Sequence, residues 1–324
     1  MTLLKTAPPR VGSGLSRPEC VLAMADGRLY ASDRLCGVAR VFPEPRDRVP
    51  LQAPVEDFVP NGIAVLPDGT FLMANIGPAG GVWRLTAPGK VEPFLVELGG
   101  KRLPPTNFVQ YDSDGRVWCT VSTRRSPREL AFRSDVADGF VICKAGDRAQ
   151  VVADGIGFAN EGRVSPDGQW FYVNETMARR VSRFRIVAGP KLEAREIVYQ
   201  FDGNGVFPDG LGFDQEGGVY VISVVSNRII RIKDGSAETL VEDCEEAAIA
   251  EVETAFRENR LSRAEIDVGH RWSMGNCSSV AFGGPDLKTM YIGSLFADSL
   301  AVFPGKYAGV PAAHWQFGRT VLDD

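Results

Sequence analysis

The 324-residue chain has only two histidines, His270 and His314, and that scarcity excludes a good deal. A Ser-His-Asp triad would have to recruit one of them, and neither is accompanied by a G-x-S-x-G turn. Six cysteines, Cys20, Cys36, Cys119, Cys143, Cys244 and Cys277, show no C-x-x-C spacing. They read as buried apolar residues of a reducing compartment and not as a zinc site or disulfide framework, so a cytoplasmic location is expected. No apolar run is long enough to span a bilayer, and the opening residues, with Pro8 and Pro9, do not read as a secretory leader. A formal charge of -5 gives no electrostatic reason to expect nucleic acid or an acidic membrane as partner. Nothing in the composition sets the oligomeric state.

What the chain does have is a recurring pattern. A polar residue is followed by an apolar run of about five residues, an Asp-Gly type of turn and a second apolar run. The clearest copy starts at Asn61, passes Ile63, Ala64 and Val65, turns at Pro67-Asp68-Gly69 and continues through Phe71-Leu72-Met73-Ala74. Others start at Glu19, Asn107, Asn160 and Asp209, with turns at Asp26-Gly27, Asp114-Gly115, Asp167-Gly168 and Glu216-Gly217. A looser copy starts near Ser278 and reaches Met290-Tyr291-Ile292. Spacings of roughly 40 to 70 residues are those of blades or solenoid repeats.

Each copy is followed by two further strand-like runs: third strands at 37–42, 81–85, 139–142, 180–185 and 228–232, and fourth strands at 91–96, 149–152, 197–201 and 237–241. Four antiparallel strands repeated radially predict an all-β fold, a six-bladed β-propeller with four-stranded blades filling residues 1–324 as one domain. The last unit has a third strand at 300–303 but no evident fourth, so residues 3–6 are expected to supply it and clasp the termini.

Strand order gives the geometry. If the first strand of each blade is innermost, the heading residues Glu19, Asn61, Asn107, Asn160, Asp209 and Ser278 converge at one mouth of the central channel. This set holds carboxylates, amides and a hydroxyl, and oxygen ligands suit a hard cation such as calcium, magnesium or manganese. Two carboxylates in a narrowing channel would repel each other unless a cation lay between them.

Glu19, Asn107, the segment Asn160…Ser165-Pro166-Asp167-Gly168 and Pro208-Asp209-Gly210 together resemble the regucalcin–gluconolactonase–luciferin-regenerating enzyme family over nearly the whole chain. The resemblance implies a six-bladed propeller with a divalent metal in its channel, calcium first and zinc, manganese or magnesium as alternatives. It maps the metal ligands onto Glu19, Asn160 and Asp209, places Asn107 beside metal and substrate, and credits Asp209 with the base role. The chain departs from the pattern at Glu19-Cys20-Val21, at Asn160-Glu161-Gly162 and at Pro105. A carbonyl polarised by such a cation, attacked by water that Asp209 deprotonates, is lactone or ester hydrolysis.

Further residues are expected to touch a small-molecule substrate. Arg124 and Arg125, with Arg128 and Arg133, crowd the top loop of blade three and could clamp a carboxylate, which makes an anionic lactone the expected substrate. Glu161 adjoins Asn160. An insertion at 243–277 opens on Asp243-Cys244-Glu245-Glu246, and Ile249, Val252 and Phe256 recur at helical spacing opposite Glu246, Glu253 and Arg257. It is expected to form a helical lid on the channel-opening face, bringing His270 and Trp272 to the substrate. The competing reading is a non-catalytic propeller whose metal is structural and whose face binds a partner.

Overall fold

A computed structural model describes residues 2–4, 6–43, 45, 47–188 and 191–323. Six small antiparallel sheets form the blades of a β-propeller. Blade one consists of Val21–Ala23, Leu29–Asp33 and Gly37–Phe42. Blade two follows as Pro60–Val65, Phe71–Asn75, Val82–Ala87 and Lys90–Leu95. Blade three comprises Thr106–Tyr111, Val117–Val121, Gly139–Ala145 and Arg148–Ile156, and blade four Ala159–Val164, Trp170–Glu175, Arg180–Val187 and Lys191–Gln200. Blade five is Pro208–Phe213, Val219–Ser223, Arg228–Lys233 and Ser236–Glu242; blade six is Cys277–Gly283, Thr289–Ser294 and Leu300–Pro304. First strands of neighbouring blades pack on one another around the ring, including the last against the first.

Two expectations about strands need correction. Among the described residues blade one has three strands, so the four-stranded rule fails there. The outer strand of blade six is Arg10–Val11, antiparallel to Leu300–Pro304, and not residues 3–6. Thr2–Leu3 instead adds a parallel strand outside Ser236–Glu242 of blade five, and Leu4 donates its amide to the Glu242 carbonyl. Lys5, within the expected strand, lies outside the described residues. The clasp therefore spans two blades. It buries sheet edges that would otherwise offer unpaired backbone groups.

The core is made of inter-blade clusters. Alternating side chains such as Leu22, Tyr30, Ile63, Phe71 and Met73 meet between blades one and two, and Trp118 stacks on Phe171 between blades three and four with ring centroids 4.9 Å apart. At the face opposite the heading residues the C-terminal segment runs across the ring. Val310 donates to the Phe213 carbonyl, Ala25 to that of Trp315 and Val321 to that of Gly69, tying blades five, one and two.

The insertion holds a helix, Glu246–Arg257, as its spacing predicts. Ile249, Val252, Ala255 and Phe256 are buried against Phe158, Phe207, Met177 and Val224. A helix this short needs such packing. Glu253, expected on the solvent face, instead accepts from Arg179 of blade four. No helix of the described residues is long and apolar enough to cross a membrane.

Candidate metal and substrate site

A single local device aims the heading residues inward. In blades two to six the first strand carries one extra residue against its partner, and the irregularity brackets Asn61, Asn107, Asn160, Asp209 and Ser278 in turn. A bulge of this kind bends a strand and re-aims a side chain. The residue after it must often be small. A Cβ on Gly210 would lie 2.4 Å from the Ser278 carbonyl oxygen, and one on Gly62 would lie 2.7 Å from Phe108 Cα.

Glu19, Asn61, Asn107, Asn160 and Asp209 are all buried and line one cavity of about 210 Å³ at this mouth. The amide nitrogens are spent on acceptors of the protein itself. Asn61 Nδ2 donates to Glu19 Oε1 at 2.9 Å and to the Asn107 carbonyl at 2.8 Å; Asn107 Nδ2 donates to Ser122 Oγ at 3.2 Å; Asn160 Nδ2 donates to Thr176 Oγ1 at 3.0 Å. Thr176 Oγ1 in turn donates to the Pro208 carbonyl at 2.7 Å, which fixes the amide's orientation. What remains is a set of buried oxygens without a hydrogen-bond partner: Glu19 Oε2, Asn61 Oδ1, Asn160 Oδ1 and Asp209 Oδ1.

Buried acceptors are normally satisfied, and four orphans from four blades in one cavity call for an explanation. Burial pushes the Glu19 carboxyl up to about 7, with Glu161 adding to it and Arg17 opposing. Asp209 is pushed up as well, by burial and then by the charges of Glu19 and Glu161. Acceptor-only oxygens and mutually repelling carboxylates fit a hard divalent cation. Among the described residues no group of three or more His, Cys, Asp or Glu is arranged around a common point, so the fit depends on counting the amide oxygens.

Other predicted residues fall elsewhere. Ser278 Oγ is spent on the Glu19 carbonyl at 2.7 Å, so blade six contributes no free oxygen from that residue. Glu161 does not line the cavity; its Oε2 accepts from the Leu211 amide at 3.0 Å and from Arg163 at 3.1 Å. Arg124 is exposed and grips both oxygens of Asp154, while Arg125 lies 3.7 Å from Asp138. Neither lines the cavity. His270 is exposed, with Nδ1 2.6 Å from the Asp267 carbonyl, and Trp272 packs on the helix cluster. The insertion reaches the cavity through Arg263 and Ile266 instead.

Basic and apolar residues complete the lining. Arg17 and Arg128 line the cavity alongside Phe132, Phe158 and Met177. The signal for Arg128 was present, since it belongs to the arginine-rich loop, but nothing in the spacing distinguishes it from its neighbours. A second cavity of about 250 Å³ lies at the opposite end of the channel, lined by Arg163, Gln110 and, from the C-terminal segment, His314. It contains none of the heading residues. Burial pulls the His314 imidazole down to about 4.

Residues 17–245 match the family model of the SMP-30/Gluconolactonase/LRE-like region. The chain belongs to this family. The match covers the first five blades and includes Glu19, Asn61, Asn160 and Asp209. Among curated proteins, a 6-deoxy-6-sulfogluconolactonase from Pseudomonas putida is 27% identical over 280 residues, 85% of this chain and 82% of that one. A gluconolactonase from Xanthomonas campestris superposes with a TM-score of 0.62 at 17% identity, over 93% of this chain and 95% of that one. Regucalcin from Agrobacterium tumefaciens, a calcium-binding protein, gives a TM-score of 0.58 at 16% identity, over 94% and 98% of the two chains. At such identities the superpositions speak for the propeller fold.

Proposed function

We propose that this member of the SMP-30/gluconolactonase family is a metal-dependent lactonase acting on small lactones. The observation that carries the reading is the set of four orphan oxygens, Glu19 Oε2, Asn61 Oδ1, Asn160 Oδ1 and Asp209 Oδ1, beside open space in one cavity. Glu19, Asn160 and Asp209 would hold the cation, calcium before zinc, manganese or magnesium, with the Asn61 oxygen as a further donor. Such an ion supplies Lewis-acid polarisation of a carbonyl and charge stabilisation as an oxyanion develops.

The residues of the chain do the rest. Asp209, at the head of blade five, accepts a proton from the attacking water. Asn107 is held by Ser122 and by the carbonyl bond to Asn61, and it orients the ring beside the ligands. Apolar residues such as Phe132, Phe158, Met177 and Ile266 line the remaining wall and limit the water that reaches the bond. A purely structural ion would need no adjoining cavity, and the lactonase names among the relatives agree with catalysis. The sulfogluconolactonase relative also supports a substrate carrying an anionic group. The cytoplasmic assignment rests on six unpaired cysteines.

Hydrolysis of a lactone panel followed with a pH indicator tests the proposal. Turnover that stops with EDTA and returns with calcium or another divalent ion is expected. Turnover unaffected by chelation, or none on any lactone beside intact calcium binding, would overturn it.

A further inference from the structure

The carboxylates and amides of the cavity account for its cation end; Arg17 and Arg128 offset part of the charge of Glu19 and Asp209 but supply no ligand to it. Arg17 stands two residues ahead of Glu19 with a backbone φ of 56°. A side chain other than glycine holds that left-handed conformation only where its surroundings impose it. Its Nη1 reaches the Pro60 carbonyl at 3.3 Å. Arg128 lies over the Phe158 ring, 5.1 Å from its centroid, and donates from Nη2 to Ser122 Oγ at 3.1 Å. Its Nε is buried and has no partner. Other arginines near the channel are matched, Arg124 with Asp154, Arg163 with Glu161, Arg179 with Glu253 and Arg263 with Asp267. Among the described residues, neither Arg17 nor Arg128 has a carboxylate within 4 Å, and the exposed Glu129 beside Arg128 forms no ion pair with it.

We propose that Arg17 and Arg128 form a subsite for an oxyanion carried by the substrate, a sulfonate, phosphate or carboxylate on the lactone's side chain. A guanidinium presents several N–H donors in a rigid fork that matches such groups, and two forks in one small cavity leave donors that the protein does not satisfy. A cation held by Glu19 and Asp209 offsets the two carboxylates, which leaves the arginines' charge for the ligand. The predicted clamp at Arg124 and Arg125 is thereby replaced by residues that line the cavity. The inference rests on the lactonase reading for the placement of the ring, but binding of the anion does not require turnover.

The test uses the calcium-loaded full chain and non-hydrolysable six-membered lactams whose exocyclic carbon bears a sulfonate, a phosphate, a carboxylate or a neutral hydroxyl. By calorimetry at least one charged lactam should bind about tenfold or more tightly than the neutral one, as expected for charge-assisted hydrogen bonds, and the ranking identifies the anion. Arg17→Met and Arg128→Met should each reduce that ratio several-fold, with calcium affinity measured in parallel. If a Met variant does not fold, Arg17→Lys and Arg128→Lys, which keep the charge and lose the fork, must still lower the ratio. Equal binding of all the lactams, or a preference that survives in the double variant, overturns the subsite. Matched lactones separate the two readings. Hydrolysis without charge preference sinks the subsite alone, while arginine-dependent binding without hydrolysis sinks the lactonase alone.

Discussion

Asn61 Nδ2 lies 2.9 Å from Glu19 Oε1, and this bond sets what both residues offer the cavity. The amide is locked with its nitrogen toward the carboxylate, leaving Asn61 Oδ1 and Glu19 Oε2 as orphan acceptors. Asn61→Ala removes the donor and leaves a buried carboxylate oxygen unsatisfied, a loss of about 1–3 kcal/mol. A lower denaturation midpoint of the metal-free protein and weaker calcium binding by calorimetry are expected together. A variant with native calcium affinity would remove Asn61 from the site.

The raised carboxyls predict how pH acts. Folded, metal-free protein keeps a proton on Glu19 up to about 7, whereas the unfolded chain releases it near the ordinary value of 4.5. That contribution to stability is full below pH 4.5 and is lost as pH rises through about 7. A cation competes with the same protons, so calcium affinity should rise over the interval and level off above it. Melting curves with calcium and with EDTA, from pH 5 to 8, should show a calcium-dependent increment that grows with pH. Glu19→Gln should weaken calcium binding and flatten this trend; an increment independent of pH would contradict it.

Asp209→Asn tests the base. Asp209 Oδ1 has no hydrogen-bond partner to lose, so the blades should remain folded by circular dichroism. At saturating metal kcat should fall at least ~10²-fold, the usual cost of removing a general base. A variant retaining a tenth of the parent kcat would limit Asp209 to holding the ion.

Much of this arrangement was legible in the residue order. The period of Asp-Gly turns locates the blades, and the polar residue ahead of each run locates the channel mouth, because both follow from local rules about turns and alternation. Side-chain destinations in loops follow from no such rule. Arg124 and Arg128 are four residues apart in one basic segment, yet the first pairs with Asp154 and the second stacks on Phe158 at the cavity. Glu161 was misplaced for a related reason. It falls inside the bulge of blade four between Ala159 and Gly162, and its carboxylate meets the Leu211 amide of the next blade instead of the cavity. The terminal strands were short enough that pairing partners, and not composition, decided where they went.

The helix Glu246–Arg257 supplies the last prediction, through a contact that its amphipathic pattern hid. Arg179, with φ 51°, is buried between the rings of Phe207 and Phe256 at 4.2 and 4.1 Å. Burial lowers its pKa even though Glu253 holds Nη1 at 2.9 and 2.8 Å. Glu253 also accepts from the Gly205 amide, so one carboxylate pins the helix to blades four and five. Its removal leaves a guanidinium desolvated and unpaired, and Glu253→Ala should cost about 3 kcal/mol, the lower end for a broken buried pair because Glu253 is partly exposed. The helix cluster includes Ile266, which also lines the cavity, so loosening it should raise KM more than it lowers kcat. Hydrogen exchange should accelerate across 246–257 in Glu253→Ala. The Arg179→Met/Glu253→Leu double variant, which fills the same space without charge, should recover most of the protection. Should the double variant exchange as fast as Glu253→Ala, the ion pair itself, and not packing around a neutral pair, would be what holds the helix in place.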